Sequence, residues 1–145
     1  MFGAAFSFTD LSKAVLADSD RAAFKNISHA AASIRKQEIA SIQPGEGPSS
    51  PGSPPHTHPG VVKSGKRKGQ LRQGFLPRSI AFDVDKARDE AVIGPRASIV
   101  GESAAAHEFG GEYKDATYPQ RPFALPALQA NLDRFAAEWQ GSIGE

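Results

Sequence analysis

Residues 123–139 read FALPALQANLDRFAAEW, and the spacing of their large apolar side chains decides how the rest of the chain has to be arranged. Leu125, Leu128, Leu132, Phe135 and Trp139 recur at intervals of three, four, three and four, which places them on one stripe of a 3.6-residue helix. Pro126 falls in the first turn, where a missing N–H costs little. The regular spacing marks the stripe as core rather than as the wall of a ligand site. Burying five such side chains is worth about 10 kcal/mol as an upper figure. A helix over 123–139 therefore needs something to pack on.

The chain upstream supplies it. A long helix is expected over 20–43, with Phe24, Ile27, Ala31 and Ile34 on one stripe, capped by Asp18 or Ser19 and ended by Pro44-Gly45. Residues 9–17 read as a short separate helix with Thr9 as its cap. In 78–86, Ile80, Phe82 and Val84 alternate with Ala81, Asp83 and Asp85, a period of two with one face buried. The chain turns at 86–89 and returns over 90–94 with Ala91 and Ile93 on one face, an antiparallel hairpin closed by Gly94-Pro95. A short helix over 102–109 stops at Gly110-Gly111, and 113–122 is extended because Pro119 and Pro122 hold it out of helical geometry. The order gives an α+β fold: a small antiparallel β-sheet, a long N-terminal helix and a C-terminal helix packed on one face, and a long Pro/Gly/Ser-rich loop.

That loop is residues 44–69, of which sixteen of 26 are Pro, Gly or Ser. It is expected to be an extended arm that becomes ordered only against a partner. At 145 residues the whole is read as one domain.

Charge is unevenly placed. The net formal charge is +1, but 44–72 carries Lys63, Lys66, Arg67, Lys68 and Arg72 against the single acid Glu46. Residues 99–145 carry seven acids and three bases. A subunit that meets different surfaces on different sides fits this distribution. Cysteine is absent, which excludes disulfides and thiolate chemistry and fits assembly in a reducing cytoplasm. No basic, apolar leader and no run of about 20 apolar residues is seen, so a soluble protein is expected, with no membrane partner.

A search for chemistry finds little. His56-Thr57-His58 is a possible metal pair, but no cysteine and no acid other than Glu46 lies near it in sequence, and a structural zinc needs four ligands. His107-Glu108 has no evident nucleophile or second acid–base group, and reads as a surface or interface pair at a helix end. No phosphate-cradling glycine loop occurs. Lys63, Lys66, Arg67 and Lys68 have no interleaved aromatic for base stacking. They suit a solvated loop tip, an acidic neighbouring subunit or non-specific phosphate contact. Phe2, Phe6 and Phe8 alternate near the N-terminus and suggest docking on a neighbour. The chain is read as neither an enzyme nor a cofactor binder.

The run AAAHEFGGEYKDATYPQRPFALPALQ, residues 104–129, resembles the head–tail joining and tail-completion proteins of the tailed-bacteriophage neck. The resemblance rests on Glu108-Phe109-Gly110, then Arg121-Pro122-Phe123, Leu125 and Pro126-Ala127-Leu128, and GQLRQGFLPRSIAF upstream is similar to the segment before that family's first strand. Ala104–Ala106 stand where an aromatic is common, and Gly111 where a threonine is often seen. The resemblance implies a structural virion protein, assembled in the host cytoplasm, that forms a homo-oligomeric ring of roughly six or twelve copies. Such a ring joins the portal-side connector to tail-tube or terminator proteins around the DNA channel. Tail terminator and stopper are alternatives within the same neck, and a small nucleic-acid-binding protein acting through the basic loop is an alternative outside it.

Overall fold

The computed structural model describes residues 9–142. Phe2, Phe6 and Phe8 lie outside the described residues. The first element is α1, Ser12–Ser41, thirty residues without a break. The expected division into helices at 9–17 and 20–43 does not occur, and neither Thr9, Asp18 nor Ser19 is the cap. No Gly or Pro interrupts the segment, and Asp18 pairs with Arg21 at 3.2 Å one turn on. The carboxylate of Asp10 instead accepts the Ser12 N–H at 2.9 Å. The buried stripe of α1 includes Ala23, Ile27, Ala30, Ala31, Ile34 and Glu38. Phe24 stays largely exposed, with Lys86 Nζ 5.8 Å from its ring centre.

Among the described residues the strands form three separate two-stranded antiparallel pieces. The first, β1 Gly60–Val61 with β2 Leu71–Arg72, carries the basic run on its loop. After the short helix α2, Phe75–Ser79, comes the expected hairpin, β3 Ile80–Asp85 with β4 Glu90–Pro95, in register from Ile80↔Pro95 to Asp85↔Glu90. Asp85 Oδ1 accepts the Ala87 N–H inside its turn. Next come the short helices α3, Ala97–Val100, and α4, Ser103–Phe109. Residues 111–118 then form a hairpin, β5 Gly111–Tyr113 and β6 Ala116–Tyr118, which begins at the glycine stop and turns back within the stretch 113–122 expected to be extended. Its two-residue turn is Lys114-Asp115, both at positive φ (48° and 60°), the type I′ geometry that twists with the strands.

The C-terminal helix is broken into α5, Ala124–Gln129, and α6, Leu132–Glu138. Asn131 makes the break. Its Nδ2 donates to the Ala127 carbonyl at 2.8 Å and to Gln37 Oε1 at 2.7 Å, so the side chain ties the joint to α1. The leucine stripe is not core. Leu125, Leu128 and Leu132 remain 43–52% exposed; in α5 the small Ala127 is the buried residue, and α6 buries none. Phe123 and Ala127 are the buried positions here, and Phe123 joins Ile42, Ile80 and Ala104 in the core, with Ile39, Leu76 and Val100 against it.

The arm makes contacts within the chain. Over 44–59 it lies against its own chain: Thr57 N–H donates to Gln43 O, Gly52 N–H donates to Gln120 O, and Ser49 and Thr57 are buried. Prolines restrict its backbone, and backbone groups of Thr57 and Gly52 find partners on residues 43 and 120. Among the described residues no helix is long and apolar enough to cross a membrane.

Candidate functional site

Glu108 and Phe123 are fifteen residues apart and meet at the start of α5. Phe123, Ala124 and Leu125 would present three unpaired N–H groups there, as any helix start does. Glu108 Oε2 accepts from Phe123 at 2.8 Å and Ala124 at 3.0 Å, and Oε1 accepts from Leu125 at 2.9 Å. The fourth position is Pro126, which has no N–H to satisfy. One buried carboxylate and one proline thus account for the whole N-terminus of the helix, and the positive end of the helix dipole favours the charge.

Gly110 makes the approach possible. It ends α4 at φ 73° and ψ 180°, a conformation reserved for glycine. A Cβ there would stand 3.2 Å from Gln120 N and 3.3 Å from Tyr118 O. Arg121 closes the other side: its backbone N–H donates to His107 O at 2.6 Å, and its Nε donates to Ser49 O at 2.8 Å, fastening the arm. Glu108, Gly110, Arg121, half-buried Pro122, Phe123 and Pro126 therefore form one joint between α4, the arm and α5.

Phe109 does not join them. It is 77% exposed and is not the apolar anchor expected at that helix end. Alternate sides of the α4 terminus face opposite ways, and Glu108 takes the inward one. Phe109 instead borders a shallow apolar cleft of about 300 Å³ with Ile34, Ile93, Leu125 and Leu128. A second groove of about 230 Å³ continues from it, with α1 as floor, β4 as one wall and Leu128, Leu132 and Phe135 as the other.

Beneath the first cleft lies Glu38, 1% exposed, with no partner for Oε2 among the described residues. Burial, with the nearby charge of Glu108 second, pushes its carboxyl up to about 7. Sequence reading missed Glu38 because, on a long helix, a lone Glu next to Gln37 looks like solvated surface. The only signal was its position one turn after Ile34, on the buried stripe.

Lys63, Lys66, Arg67 and Lys68 all lie exposed on the β1–β2 hairpin, far in sequence from the joint and outside it. Gly69 N–H donates to Val62 O and Lys68 N–H to Gly65 O, which shapes their loop. His56 and His58 do not come together with acids; among the described residues no group of three or more His, Asp or Glu could hold a metal. Compared with protein-family models, with curated proteins and with solved structures, the chain matches none of them.

Proposed function

We propose that this chain is a structural subunit of a tailed-bacteriophage neck, forming a ring that joins the portal side of the head to the tail. One observation carries the reading: the two motifs on which the resemblance to neck proteins rests meet in a single joint, and an apolar face lies exposed beside it. Phe109, Leu125, Leu128 and Leu132 stay exposed around it. An apolar face of this kind suits burial by another subunit. A closed ring needs a heterologous contact, in which one face meets a different face of the next copy. The basic hairpin and the N-terminal aromatics Phe2, Phe6 and Phe8 are the segments assigned to neighbours, with Lys63, Lys66, Arg67 and Lys68 turned to channel DNA or an acidic ring. Tail completion, termination and stopping are variants of the same placement, and no reaction is assigned to the chain.

Two measurements test the proposal together. Light scattering across a concentration series should reveal closed oligomers, alone or with the adjoining ring protein, and mass spectrometry of purified particles should find the chain. Phe109→Asp combined with Leu125→Asp should leave the fold intact and prevent assembly. A chain that is monomeric under every condition and missing from particles overturns the reading. If Lys66→Glu, Arg67→Glu and Lys68→Glu abolish tight, sequence-selective DNA binding, the nucleic-acid alternative replaces it.

A further inference from the structure

Arg121 is 8% exposed, yet no carboxylate lies within ion-pair distance of it among the described residues. The residue is mostly buried but its charged end faces a surface cleft without a counter-charge, so the lining of that cleft shows what it can take. Its Nε is satisfied by Ser49 O, but its two terminal nitrogens make no hydrogen bond among the described residues. Arg121 lines a surface cleft of about 330 Å³ with His56, His58, His107, Tyr118 and Pro55, and no Asp or Glu lines it.

A second, independent mark comes from His107. Its Nδ1 is buried and unpartnered among the described residues, while its ring meets Tyr118 edge to face at 5.3 Å. Burial, with the Arg121 charge second, holds the imidazole below its ordinary value, so at neutral pH it is an uncharged hydrogen-bonding group. His56 is held over Gly45, where a Cβ would overlap its ring, and its Nδ1 faces Gly47 O at 3.2 Å.

We propose that this cleft is a carboxylate-binding site that takes an Asp or Glu side chain of an adjoining protein subunit. The cleft holds one permanent cation, a planar fork whose free terminal nitrogens match a carboxylate in bidentate geometry. Pro48, Pro55 and Tyr118 give the cleft apolar walls beside that cation. A phosphate dianion would keep a second charge uncompensated in the same surroundings. The acidic excess of residues 99–145 shows that copies of this chain carry side chains of the required kind, though the site stands whether or not the chain belongs to a phage neck.

NMR titration of the full chain tests it, with acetate and N-acetylglutamate against inorganic phosphate, following the Arg121 Nε–H and the His107 ring. Both carboxylates should move these signals along one saturating curve, and phosphate should bind no tighter. Arg121→Lys keeps the charge and loses the fork, so affinity should fall about tenfold. Because Arg121 also fastens the arm, His58→Ala serves as the second variant: exposed and outside the joint, it should fold normally and weaken binding severalfold. Signals that do not saturate with either carboxylate, tighter binding of phosphate, or an unchanged affinity in His58→Ala and Arg121→Lys alike would overturn the assignment.

Discussion

The carboxylate of Glu108 accepts the backbone N–H of Phe123 at 2.8 Å, and through it α4 sets where α5 begins. Two motifs separated by a hairpin thereby become one rigid unit. The core side chain Phe123 and the cap Glu108 depend on each other, since displacement of either exposes the other's buried polar or apolar surface.

Glu108→Ala should remove three hydrogen bonds to a charged acceptor and leave buried N–H groups without partners. The expected loss is about 3 kcal/mol. Glu108→Gln keeps one acceptor oxygen and loses the charge, and should cost about half as much. Urea unfolding followed by far-UV circular dichroism measures both. Equal stability of Glu108→Ala and wild type would show that the cap contributes nothing.

Glu38 makes stability depend on pH with a definite sign. Its folded value is raised from 4.5 to about 7, so below 4.5 the folded and unfolded chains both hold the proton and the full stability is present. Between these values the unfolded chain has released the proton and the folded chain has not, so stability falls as pH rises and the loss is complete above 7. The contribution is about 3 kcal/mol at most. In Glu38→Gln this decline between pH 4.5 and 7 should disappear, which urea midpoints at a series of pH values will show. A decline of the same size in the variant would place its origin elsewhere.

Gly110→Ala should destabilise by about 2 kcal/mol, because the residue is held at φ 73°, ψ 180° and the added Cβ meets backbone rather than a yielding side chain. Gly47→Ala is the control: it also has positive φ, but nothing lies within 4 Å of the added atom. It should cost about 1 kcal/mol. Thermal unfolding midpoints compare the two, and a larger loss at Gly47 would contradict the close approach at Gly110.

Phe123→Ala and Leu128→Ala separate core from open face. Phe123 is 2% exposed, so its truncation should cost about 3–5 kcal/mol. Leu128 is 43% exposed, and its truncation should cost below about 1 kcal/mol in the isolated chain. Leu128→Ala should instead weaken self-association. If the two variants unfolded alike, the stripe would be core after all.

What the sequence determined by itself were the features carried by local periodicity and local chain chemistry. The α+β class, the long N-terminal helix, the Ile80–Asp85 hairpin with its return strand, and the glycine stop after Phe109 all follow from spacings within a few residues of one another. Tertiary structure decided the rest. Asn131 breaks a helix that 3.6-residue spacing makes continuous, because its amide is offered Ala127 O and Gln37 Oε1 at once, and the second acceptor is 94 residues away. The Lys114-Asp115 turn adopts positive φ without the Asn-Gly signature that announces it, and the proline-rich arm finds its backbone partners on residues 43 and 120. The same holds for the site: Glu108 and Arg121 were visible as motif residues, but capping and fastening are relations between distant segments. Glu38 became meaningful only once packing had removed it from water, and the unpaired guanidinium only once folding had set it at a cleft that no acid lines.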